Sequence, residues 1–72
     1  MAPDLQQAYN ALKRIKAPVQ KTYDGFIIVG SPDSKWVDSA WVEVNPKIDK
    51  ILLKSGLYYE WDNNGDLQIH EN

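Results

Sequence analysis

"LYYEWDNNGDLQI" spans residues 57–69, and its register decides how the second half of the chain is built. Asn64 and Gly65 give the sharpest turn signal in the sequence. Before the turn, Leu57, Tyr59 and Trp61 share one parity, and Tyr58, Glu60 and Asp62 share the other. After it, Leu67 and Ile69 alternate with Asp66, Gln68 and His70. A two-residue loop at Asn64 and Gly65 would pair Trp61 with Gln68 and set the apolar residues of the two arms on opposite faces. A three-residue loop of Asn63, Asn64 and Gly65 pairs Trp61 with Leu67 and Tyr59 with Ile69, so all five apolar residues share one face. That loop needs a left-handed residue at its last position, which Gly65 supplies. The expectation is a hairpin with Tyr59 and Trp61 turned to the core and Tyr58 turned outward.

Moving toward the N-terminus, "PKIDKILLKS" at 46–55 carries two signals. Asn45, Pro46 and Gly56 are helix punctuation. The short apolar run before Ser55 and Gly56, followed by a strand, reads as a hairpin arm. The strand reading is preferred. Upstream, "KWVDSAWVEV" reads as a strand whose alternation breaks near Asp38 and Ser39. Trp36, Ala40, Val42 and Val44 have one parity, while Val37 and Trp41 have the other. "SPDS" at 31–34 is a turn cluster. "VQKTYDGFIIVG" is rich in β-branched and aromatic residues, with Asp24 and Gly25 marking a tight turn or a bulge.

Residues 4–16 give the clearest helix. Leu5, Ala8, Tyr9, Leu12 and Ile15 make one apolar face. Asp4 suits the N-cap, with Gln7 placed for a capping box. Lys13, Arg14 and Lys16 favour the C-terminal dipole, and Pro18 ends the run. A helix this short needs a surface to cover. The fold expected is α+β: an N-terminal helix packed on an antiparallel sheet of four to five strands, forming a single small domain over residues 1–72.

Seventy-two residues lie near the lower limit for folding on a single core. The absence of cysteine excludes disulfides, thiolate metal sites and cysteine nucleophiles. A net charge of −2 argues against a general nucleic-acid binder. The N-terminal stretch has no apolar signal-peptide core, and "FIIV" is too short to cross a bilayer. A cytoplasmic protein is expected, with no membrane partner.

Few residues suggest chemistry. His70 is the single histidine, and it reads as a solvated edge residue near a fraying end. None of Thr22, Ser31, Ser34, Ser39 and Ser55 sits in a nucleophile motif. "DNNGD" at 62–66 places Asp62, Asn64 and Asp66 like the start of a calcium loop, but its glycine is misplaced. No catalytic residue, cofactor or metal site is expected. What remains is aromatic surface. Tyr58 faces outward, and the phase break sets Trp36 and Trp41 on opposite faces, so these three are the candidate partner-binding residues. Trp and Tyr anchor protein interfaces. With Tyr23 they would also serve to stack unpaired bases, though without a basic groove.

The function expected is therefore a non-enzymatic protein-binding module that occupies a partner protein's surface, as small inhibitors and regulators encoded by viruses or mobile elements do. The alternative is a single-stranded nucleic-acid binder. A homodimer is compatible with so small a domain.

Overall fold

In a computed structural model that describes residues 3–71, two helices cover one face of a four-stranded antiparallel sheet. The elements run α1 (Leu5–Arg14), β1 (Val19–Thr22), β2 (Gly25–Ile28), β3 (Val37–Asp38), β4 (Glu43–Val44), α2 (Pro46–Lys54), β5 (Leu57–Trp61) and β6 (Leu67–Glu71). The large sheet has the order β1-β2-β6-β5, and β3 with β4 forms a separate two-stranded ribbon. The fold is α+β, as the sequence predicts.

The C-terminal hairpin takes the three-residue loop. Trp61 pairs with Leu67 and Tyr59 with Ile69. Gly65 has φ +81° at the last loop position. Leu57 and Leu67 are fully buried, Tyr59, Trp61 and Ile69 pack against the core, and Tyr58 faces out. A Cβ on Gly65 would also lie only 2.8 Å from the Ser39 Cβ, so glycine is needed for space as well as for φ.

Residues 46–55 are helical, which corrects the preferred strand reading. The Asn45 side chain accepts a hydrogen bond from the Lys47 N–H at 3.0 Å, and Pro46 opens the helix. Ile48 and Leu52, one turn apart, are both buried. Gly56 follows the cap with φ 72°, and its N–H donates to the Leu53 carbonyl. Capping at both ends decides a segment whose short apolar run suits either structure.

The stretch read as one strand across 35–44 is instead a ribbon that reverses at the phase break. Asp38 ends β3 because its carboxylate Oδ1 accepts the N–H groups of Ala40 and Trp41, which folds the chain into a turn. In the β1–β2 hairpin, Thr22 pairs with Gly25. Its loop is thus Tyr23 and Asp24, one place earlier than the Asp-Gly signal.

Helix α1 is N-capped by Asp4, whose carboxylate accepts the Gln7 N–H at 2.9 Å. The Asp4 N–H donates to the Ser55 carbonyl, tying the start of α1 to the end of α2. At the other end Lys16 adopts φ 66°. Its N–H donates to Lys13 O, and the Ala17 N–H donates to Leu12 O. This is the Schellman arrangement, with lysine at the position that glycine usually fills. Ala8 and Leu12 are buried beneath it. Tyr9 meets Phe26 edge to face, ring centres 5.6 Å apart.

Candidate interaction surface

The segment between β2 and α2 leaves the large sheet and returns, and its sequence explains how. Ser34 Oγ accepts the N–H groups of Trp36 and Val37, turning the chain into β3. Asp38 Oδ1 accepts three backbone N–H groups, from Asp33 at 3.3 Å, Ala40 at 3.0 Å and Trp41 at 3.2 Å. The Asn45 side chain donates to the Lys35 carbonyl, and the Asn45 N–H donates to the Trp36 carbonyl at 2.8 Å. Val37 is fully buried and roots the ribbon in the core.

At its tip, Trp41 is 72% exposed and Val42 63% exposed. Val42 has φ 56°. A β-branched residue in the left-handed region is a true outlier, costing on the order of 1–2 kcal/mol. The tip thus holds two exposed apolar side chains on a strained backbone.

The three sequence-predicted residues are distributed over two sheets. Trp41 stands at the ribbon tip. Trp36 lies at the ribbon base, partly buried against the core, with the Lys35 ammonium 5.2 Å above its ring. Tyr58 lies on β5, on the uncovered face of the large sheet, 43% exposed and tilted against His70 with centroids 5.4 Å apart. Among the described residues no aromatic pair joins the three. The sequence reading passed over Val42 and Leu53 as exposed apolar residues, the latter 69% exposed. Leu53 falls off the helical face of Ile48 and Leu52, a signal hidden by the strand reading of that segment. Val42 gives no signal, because its conformation is set by the ribbon's closure.

His70 belongs to an inner strand of the large sheet. It sits within β6, opposite Tyr58, and its Nε2 lies 3.0 Å from the Glu60 carboxylate. The carboxylates of the 62–66 loop accept hydrogen bonds from the loop itself, from Gln68 and from Gly30. Asp62 Oδ1 accepts the N–H groups of Asn64 and Asp66, and Oδ2 accepts the Gln68 amide. These bonds, the Gln68 one foremost, hold the Asp62 carboxyl below its ordinary value. Asp66 accepts the Gly30 N–H at 2.8 Å. No group of three or more potential metal ligands occurs among the described residues. No described helix is long and apolar enough to cross a membrane. An open groove of about 630 Å³ lies between α1 and α2, lined by residues including Asp4, Asn10, Arg14 and Lys54.

The chain matches no protein-family model, and neither the curated proteins nor the solved structures include one similar to it.

Proposed function

We propose that this chain is a non-enzymatic protein-binding module that acts by occupying a partner protein's surface, with Trp41 and Val42 as its anchor. The observation that carries the reading is the exposed, strained tip. Backbone strain persists where the surroundings over-determine it, and it clusters at binding sites. A tryptophan held in water on a braced turn suits insertion into a partner's pocket, because little ordering is left to do on binding. Trp36 sets the base of the ribbon, and Tyr58 belongs to a different surface. Occupancy alone suffices for a regulator or inhibitor, so the proposal extends to that mode of action.

The test is affinity capture from a lysate of the source cell, with and without nuclease, using the wild-type chain, Trp41→Ala and Val42→Gly. Trp41→Ala is expected to melt like wild type and to lose capture by about 2 kcal/mol or more. Val42→Gly is expected to raise stability by about 1 kcal/mol through relief of the left-handed valine while weakening capture. Undiminished capture by Trp41→Ala would refute the reading. Capture that vanishes with nuclease and falls steeply with salt would replace it with nucleic-acid binding.

A further inference from the structure

β5 is an outer strand of the large sheet, and among the described residues one of its edges has no strand beside it. The Asp62 N–H donates to the Asp66 carbonyl, so residue 62 turns its backbone toward β6. Backbone groups alternate sides along an antiparallel ladder, so residues 58 and 60 also turn toward β6. Leu57, Tyr59 and Trp61 therefore aim their N–H and C=O groups at the open edge. The opposite edge, β1, carries the usual guards against pairing, with Pro18 just before it and Lys21 within it. β5 has neither proline nor lysine.

Beside this edge, α2 forms a notch of about 160 Å³ lined by Asp49, Leu52, Leu53, Leu57, Tyr58 and Tyr59. Helical spacing sets Asp49 and Leu53 on the flank of α2 toward β5. Lys54 instead lines the groove toward α1. The edge is thus flanked by exposed apolar surface with no lysine in the notch.

We propose that a second copy of this chain docks here, by antiparallel β5–β5 pairing about a two-fold axis at Tyr59. The strand is self-complementary about that residue. Outward-facing groups meet outward-facing groups, Tyr59 with its twin and Leu57 with Trp61 of the second copy. The same register sets Tyr58 opposite the second copy's Glu60, so the two Glu60 carboxylates are kept apart. An axis at residue 60 would bring those carboxylates together, and an axis at residue 58 would pair only three residues of each strand, with Glu60 and Trp61 opposite residues 56 and 55, outside β5. Leu53 adds apolar contact beside the paired strands. This surface is distinct from the Trp41 tip, so a partner and a second copy can be held together.

One strand pair and a notch make a small interface, so the dissociation constant is expected on the order of 10–100 µM. Sedimentation equilibrium of the intact chain from about 1 µM to about 1 mM should show a monomer–dimer equilibrium in that range. Tyr58→Glu sets like charges across the axis and should weaken the dimer by about tenfold, with circular dichroism unchanged. Adding Glu60→Lys to that variant sets opposite charges across the axis and should restore dimerisation. Leu53→Asp, at an exposed position, should also weaken it and keeps the test intact if Tyr58→Glu melts. A wild-type chain that stays monomeric at about 1 mM, or that forms species larger than a dimer, overturns the proposal. So does a dimer that survives both single changes, or one that the double variant fails to restore.

Discussion

Gly30→Ala is the substitution that most directly tests how the three parts of the fold meet. Gly30 follows β2, and the Gly65 carbonyl presses against it. A Cβ there would lie 2.0 Å from that oxygen and 3.0 Å from Val37 Cγ1. An ordinary carbon–oxygen contact is roughly 3.3 Å, so the 62–66 loop must retreat by more than about 1 Å. The first bond to go is the one from the Gly30 N–H to Asp66, now 2.8 Å. Losing a hydrogen bond to a carboxylate costs about 1.5–3 kcal/mol. Overpacking against Val37 and the loop adds about 1–3 kcal/mol. Restricting the unfolded chain returns roughly 0.4–1 kcal/mol. The net expectation is a loss of about 3 kcal/mol. At the usual stability per residue, a 72-residue domain has only about 4–11 kcal/mol to lose. In urea, with a slope near 1 kcal/mol/M, the midpoint should fall by about 3 M. Gly25→Ala is the control, because its Cβ would meet only Leu5 at 3.8 Å, and it should be neutral or slightly stabilising. If Gly30→Ala unfolds within about 0.5 M of wild type, the close approach of the Gly65 carbonyl is refuted.

Leu12→Ala removes a fully buried side chain from beneath α1 and should cost about 2–4 kcal/mol by thermal or urea unfolding. Lys16→Gly places glycine in the left-handed cap and should stabilise by about 0.5–1 kcal/mol, read as a raised Tm; an unchanged or lower Tm would count against the Schellman geometry. Folding lowers the Asp62 pKa, so the unfolded chain takes up that proton first as pH falls. The stabilisation is therefore full above the ordinary value of 3.8 and fades below it, through the folded value. Asp62→Asn should flatten this part of the stability–pH curve.

The C-terminal hairpin was legible because two independent requirements agree there. One face must be apolar, and the loop must end on a residue that tolerates positive φ. Helix α1 was legible for a similar reason, through its five-residue apolar face and Asp4 cap. Residues 46–55 were not, since "KILLK" satisfies a strand arm and a helix face alike, and the caps at Asn45 and Gly56, with burial of Ile48 and Leu52 one turn apart, separate them. The phase break at Asp38 was visible, but its cause was not. A carboxylate that gathers three N–H groups turns the chain, and alternation cannot report a side chain acting on the backbone. Of the interaction surface, the outward parity of Tyr58 was readable and the exposure of Trp41 was only bracketed. The strain at Val42 arises from closure of the ribbon, which no local pattern encodes.

The strand order carries a consequence for the time course of folding. β6 lies between β2 and β5, so neither hairpin arm upstream has a neighbour that joins it to the other until β6 arrives. The tie between Gly30 and Asp66 spans 36 residues. On a ribosome, everything before Leu67 emerges as two helices, the β1–β2 hairpin, the β3–β4 ribbon and a β5 without its partner, with the facing edges of β2 and β5 bare. Closure of the sheet is a late event that waits for a five-residue strand. Such non-local pairing slows folding relative to a helical domain of this size, and it makes the interval before closure the period of greatest exposure to aggregation.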